Sequence, residues 1–286
     1  MNYALDALWW KLTDPKVRDL ASLLTAPPLW LHPNELSPRT LLGEHGFRYL
    51  LTLDETPHIL AEHLACRPAS SRLGHYAEEL LAFWFAHAPH SVLYAHNLPV
   101  ASDGRTRGAA DFIASLDGTP YHIELTCKYY GSTSPNPATL CGLNPEDKLT
   151  GKAVKLQQQL KLFASSDGIN TLHRHGYPVK LTPAVIIRGN AFFPDPDTPA
   201  LAPLNPYCWR GRHISDWSQY PFANPAERYY PIQRTDFLAP ARIAESATID
   251  AQAVRYINSG IIAAVEPRPD GYWHETARIM KTAQAV

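Results

Sequence analysis

Between Leu73 and Arg188 the hydrophobic period of the chain changes from helical to alternating and back, and this pattern limits the fold more than any other feature. Leu73, Tyr76, Ala77, Leu80, Leu81, Trp84, Phe85 and Ala88 recur at helical spacing, and Pro89 ends the run. Three strand-like runs follow, at 91–100, 109–116 and 121–130. The segment ASDGRTRG separates the first two as a turn, and Asp117-Gly118-Thr119-Pro120 separates the second two, a strong hairpin signal. A loop rich in Ser, Pro, Asn and Gly covers 131–144. Asn144-Pro145-Glu146-Asp147 then predicts a helix start, with Asn as cap, Pro in the first turn and acids after it. Leu149, Ala153, Leu156, Leu160 and Phe163 supply its apolar stripe, and the next strand is expected at 179–188. The order is helix, three strands, helix, strand.

The flanks read differently. Residues 1–70 are expected to be helical, with Asp14-Pro15 opening one helix, Pro27-Pro28 stopping it, and a second helical piece at 56–66. Beyond 190 the chain is rich in proline and aromatics. It reads as an irregular stretch to about 240 and a hairpin around Pro269-Asp270-Gly271, a C-terminal extension packed on the core at 191–286. A net charge of −1 excludes a polycation that coats nucleic acid, so phosphate contacts must come from local clusters. Four dispersed cysteines form no CxxC pair, and neither a secretory leader nor a membrane-length apolar run is expected. A cytoplasmic protein without a membrane partner is the expectation.

Two acids stand where strands should be apolar. Asp111 lies within Ala109-Ala110-Asp111-Phe112-Ile113, and Glu124 between Ile123 and Leu125. If Asp117-Gly118 is a two-residue turn, Asp111 lies opposite Glu124. If the loop is 117–120, Asp111 faces Thr126 and Glu124 is diagonal. Opposite partners have Cβ atoms ~5 Å apart and diagonal ones ~7–8 Å. Two carboxylates that close repel unless a cation lies between them, and hard oxygen ligands suit Mg²⁺ or Mn²⁺. Such an ion activates water and neutralises charge on a phosphoryl group, and a nearby lysine such as Lys128 can orient the water.

This order of elements, with Asp early in the second strand and Glu ahead of a Lys in the third, resembles the PD-(D/E)XK nuclease superfamily. Longer segments resemble an uncharacterised bacterial domain-of-unknown-function family placed in it: DPKVRDLASLLTAPPL (14–29), LGHYAEELLAFW (73–84), IELTCKYYG (123–131), LNPEDKLTGKAVKLQQQL (143–160), IRGNAFFP (187–194) and FLAP (237–240). The resemblance implies an α/β nuclease-like core at 71–190, with a central mixed sheet flanked by helices. It makes Asp111 and Glu124 the motif acids, with Glu78 on the first helix as a further metal ligand. The lysine departs from the usual pattern: the chain has E-x-x-x-K, and Thr126 stands where E-x-K places the lysine.

Lys148, Lys152, Lys155 and Gln159 form one stripe on the second helix, and Gln159-x-x-x-Phe163 is similar to the Q-x-x-x-Y helix of RecB-type nucleases. Residues 145–190 carry seven Lys or Arg against three acids, and Arg105 and Arg107 precede Asp111 on the expected turn. Trp209-Arg210-Gly211-Arg212-His213 adds a basic aromatic cluster suited to phosphates and bases. The thirteen histidines read as surface or packing residues. The expected function is metal-dependent hydrolysis of phosphodiesters in nucleic acid, DNA in particular, with Asp111, Glu124 and Lys128 catalytic. The alternative is a non-catalytic protein of the same fold that binds nucleic acid or a protein partner.

Overall fold

The computed structural model describes residues 11–66, 71–102, 105–134, 136–222, 224 and 226–283. The N-terminal part carries four helices, α1 (Pro15–Thr25), α2 (Pro38–Leu42), α3 (Gly46–Glu55) and α4 (His58–Ala65), but 26–37, expected as part of a helical region, is not helical, with Trp30 bridging to Leu204 and Glu35 to Val185. The Asp14 carboxylate caps α1 by accepting from the N–H groups of Lys16 and Val17. The long apolar helix is α5 (Leu73–His87), which buries Leu80, Phe83 and Trp84. Residues 1–10 and 67–70, included in the expected helical region, lie outside the described residues.

Three long strands follow: β1 (Ser91–Ser102), β2 (Arg105–Leu116) and β3 (Thr119–Gly131). Asp117 and Gly118 both have positive φ, 46° and 76°, and Leu116 pairs with Thr119. This is the two-residue turn whose twist matches a hairpin, and it excludes the alternative four-residue loop at 117–120. The segment expected as a turn between β1 and β2 is mostly strand, since Ser102 pairs with Arg105. Arg105 and Arg107 therefore stand exposed at the start of β2 instead of on a turn. Arg107 falls at a bulge, between the pairs Val100–Gly108 and Ala101–Thr106.

The helix expected from Asn144 starts later. Asn144 accepts from the N–H of Glu146 in a local turn, and α6 runs Leu149–Gln159. The Asp147 side chain explains the delay: it accepts from Lys128 Nζ at 2.6 Å and from Tyr130 Oη at 3.0 Å, so this residue is tied to β3. A further helix, α7 (Ser166–His175), precedes β4 (Thr182–Phe193). Ser165 caps it and Gly176 ends it in the left-handed conformation, so its punctuation was present in the sequence.

The C-terminal third does more than pack on the core. It adds β5 (Trp209–Ile214), β6 (Arg228–Ile232), β7 (Arg242–Ile243), β8 (Gly260–Pro267) and β9 (Trp273–Lys281), with one short helix, α8 (Ala251–Val254). Among the described residues nine strands form one mixed sheet in the order β1-β2-β3-β4-β5-β9-β8-β6, with β7 on β9. The expected irregular stretch thus holds two strands, and the expected final hairpin joins β8 to β9. β3, β4, β5 and β9 run parallel, and both ends of the sheet are antiparallel.

Strand alternation splits the core in two. On one face Phe112, Ala114, Ile123, Leu125 and Ile186 pack against Leu20, Leu24, Leu80 and Phe83 of α1 and α5. On the other, Val185, Ile187 and Phe193 pack against Leu149 and Leu156 of α6, and Ile113 lies with Phe163 and Leu172. The parallel pairing of β3 with β4 is the spine, with an unbroken register from Tyr121–Thr182 to Gly131–Phe192. Gly189, at φ 136°, sits opposite Lys128, where an added Cβ would overlap the Lys128 carbonyl. Gly189→Ala is expected to destabilise the protein by at least ~2 kcal/mol through strain and lost pairing. Urea unfolding checks this, and an unchanged midpoint contradicts it.

Candidate active site at the fork between the second and third strands

β2 and β3 pair from Leu116–Thr119 to Phe112–Ile123 and then part. Beyond that point β2 pairs only with β1 and β3 only with β4. One further step in the register sets Asp111 opposite Glu124, at the mouth of the fork. Ile113 and His122 are cross-strand partners, so by alternation Asp111 and Glu124 both belong to the face that α6 covers. The Leu125 N–H, which would otherwise continue the ladder, donates to Asp111 Oδ2 at 2.7 Å.

The two acids have unlike surroundings. Glu124 is fully buried, and each of its oxygens accepts one hydrogen bond. His122 Nε2 lies 2.8 Å from Oε1, and Gln159 Nε2 lies 2.5 Å from Oε2. Asp111 is half-buried. Burial, and next the Glu124 carboxylate, push its pKa up to about 7, against smaller stabilisation of the charged form by the Leu125 N–H and Lys152. Glu78, from α5 on the other side of the sheet, adds to the field on Asp111. Burial raises Glu78 as well, while His75, 3.6 Å away, and the Asn97 amide favour its charged form. Asn97 holds a left-handed φ of 55° on β1.

The lysines divide. Lys128 shares the Glu124 face, but its ammonium is bound to Asp147. The longer-loop register that would have set it diagonal to Asp111 does not occur. Lys152 projects from α6 into the field of the site. Burial, and next Lys128, lower the pKa of its ammonium, while Asp111 and Glu124 act to raise it. Helix α6 crosses β3 with Gln159 over Glu124 and Asp147 beside Lys128. Thr126, between those contacts on the same face, therefore lies beneath the middle of the helix. Its hydroxyl is buried without a hydrogen-bond partner among the described residues, as is Gln159 Oε1. Lys148 and Lys155 are exposed.

Arg210 and Arg212 do not form a free basic cluster. They lie on β5, and their guanidinium groups donate to the carbonyls of Pro194, Thr198 and Pro206, holding the 194–206 loop. Sequence reasoning missed two participants. His122 reads as one of the packing histidines, although its place two residues before Glu124 puts it on the same strand face. Asp147 reads in the sequence as a helix-start acid.

The donor set fits one kind of ion. Among the described residues no three His, Cys, Asp or Glu side chains converge to hold a metal by themselves. Two adjacent carboxylates with lone pairs to spare fit a hard cation that keeps several waters and is completed by substrate oxygen. They do not fit a closed protein cage of the zinc type.

The Asp111 shift sets a stability-versus-pH expectation. Its carboxyl binds a proton more tightly folded than unfolded, so this group makes stability fall as pH rises from about 4 to about 7. Buried Asp19, also pushed up to about 7 by burial, acts in the same window. Asp111→Asn should raise stability of the metal-free protein at pH 8 by ~1 kcal/mol or more, leave it unchanged near pH 4, and abolish Mn²⁺ binding. Thermal unfolding at the two pH values with Mn²⁺ calorimetry checks this. Equal Mn²⁺ binding by both proteins would move the ion elsewhere.

No helix among the described residues is long and apolar enough to cross a membrane. No curated protein and no solved structure matches the chain. The family model of a domain of unknown function, DUF1853, matches residues 18–281, which is nearly the whole chain, and the protein belongs to that family.

Proposed function

We propose that the protein is a divalent-metal-dependent phosphodiesterase acting on nucleic acid, with DNA as the first substrate to test. The observation that carries the proposal is the Asp111–Glu124 pair at the strand fork, with Lys152 held over it by α6. The sequence resemblance to PD-(D/E)XK nucleases and the order α5-β1-β2-β3-α6-β4 support the same reading.

In this reading Asp111 and Glu124 hold one Mg²⁺ or Mn²⁺, and Glu78 adds negative charge from α5. When bound, the ion supplies an acidified water and neutralises charge on the phosphate. The chain's own residues do the rest. Asp111 must release its proton before it can bind, which makes ion uptake weaken below pH 7. Lys152 supplies a positive charge where Thr126 leaves the usual lysine position empty of charge, and it steadies the attacking water and the developing negative oxygen. Lys128 positions α6 through Asp147. The exposed Lys148 and Lys155, with Arg105 and Arg107 on β2, are available to backbone phosphates, which would fix substrate without reading sequence.

A non-catalytic member of the same fold, binding nucleic acid or a protein, is favoured by one observation. Glu124 is wholly enclosed, and both its oxygens already accept from protein donors.

Mn²⁺ titration of the pure protein, followed by cleavage assays on single- and double-stranded DNA and RNA, separates the two. Cleavage that needs Mn²⁺ and is lost in Glu124→Gln supports the enzyme. Lys152→Ala is expected to lower the rate at least ~100-fold with Mn²⁺ affinity nearly unchanged, because the lysine acts on the nucleophile and transition state. Lys128→Ala is expected to cost less than ~10-fold, through helix placement. The reverse order would return the catalytic role to Lys128. Tight Mn²⁺ binding with no cleavage of any substrate would establish the non-catalytic reading.

A further inference from the structure

A buried carboxylate on a core-facing strand is a cost to folding, and apolar side chains of similar volume would fill the position at least as well. The donors around Glu124 therefore call for an explanation beyond stability. His122 is 1% exposed and Glu124 0%. One donor comes from β3 itself and the other from the end of α6, one to each oxygen. Two donors on two oxygens fix the plane of a carboxylate. Each oxygen has a second lone pair, so one remains on each for a further ligand.

The histidine is itself fixed. Its Nδ1 is buried and has no hydrogen-bond partner among the described residues. A proton there would leave an unmatched buried donor, so the geometry sets the proton on Nε2, where it is donated to Glu124. The Phe163 ring meets the imidazole edge-on, with centroids 4.9 Å apart and an interplanar angle of 68°, and limits its rotation. Phe163 lies four residues after Gln159, so one chain segment holds both members of the pair.

We propose that His122 and Gln159 are positioning residues that clamp Glu124, presenting its free lone pairs toward Asp111 in the orientation a divalent ion needs. This rests on the metal-dependent reading above, and it adds His122, which that reading did not use. Outer partners of this kind typically change metal affinity 10–100-fold when removed.

The test is Mn²⁺ affinity measured by calorimetry on the full chain, well below the unfolding transition. His122→Phe keeps the ring shape without the donor, and His122→Gln keeps an N–H donor at nearly the Nε2 position. The clamp predicts Mn²⁺ binding weakened about 10–100-fold in His122→Phe and in Gln159→Leu, and restored to within about threefold of wild type in His122→Gln. A merely structural histidine would lower thermal stability in both His122 variants while leaving Mn²⁺ affinity in place, and that result overturns the proposal. Should His122→Phe fail to fold, imidazole nitrogen NMR of the wild type decides. A proton on Nε2 supports the clamp, and a proton on Nδ1 overturns it. Wild-type protein that takes up no Mn²⁺ removes the metal-dependent reading and the clamp with it, whereas normal uptake by His122→Phe removes the clamp alone.

Discussion

The sheet is organised around the pairing of β3 with β4. β3 is antiparallel to β2 on one side and parallel to β4 on the other, over a register that runs unbroken from Tyr121 to Gly131. A parallel partner cannot be reached by a tight turn, so the chain must cross over, and α6 and α7 are that crossover. The crossover lays α6 across the Glu124 face of β3, while the antiparallel partner leaves β3 after Ile123. The fork and the helix over it both follow from β3 having unlike neighbours. Gly189 matters here because a side chain at that point would meet the backbone of the strand carrying Glu124.

Electrostatics at the fork are uneven by construction. Glu124 has donors on both oxygens, and Asp111 has one donor and a carboxylate neighbour. Burial and repulsion therefore converge on Asp111, which is where the proton is held near neutrality. The same field draws Lys152 inward, while Asp147 keeps Lys128 apart from it. These arrangements leave a half-buried acid beside a fully buried one.

The elements from Leu73 to Gly131 are legible because each carries its own period and stop, Pro89 after the apolar helix and Asp117-Gly118 between β2 and β3, while the choice between a two-residue turn and a four-residue loop needed the register itself. The α6 start was misread because a local capping signal at Asn144 competed with a tertiary one, the attachment of Asp147 to Lys128 and Tyr130. No periodicity reports such a contact. The two strands inside the proline-rich stretch were hidden for a related reason. Each is short, and what secures it is pairing with strands distant in the chain, β9 for β5 and β8 for β6. At the site, Asp111 and Glu124 stood out as acids in apolar runs. His122 did not, because a histidine beside isoleucine and tyrosine looks like any packing residue until the register sets it against Ile113.

Helix α6 and the turn that leads into it are anchored to one strand at two points, through Asp147 to Lys128 and through Gln159 to Glu124. The intervening residues thus act as a ruler laid between two fixed marks. A residue inserted or deleted between them would rotate one end by about 100° relative to the other, so Asp147 and Gln159 could no longer both meet β3. In this chain the phase of one helix, more than the identity of its exposed residues, decides which side chains meet the Glu124 face of β3.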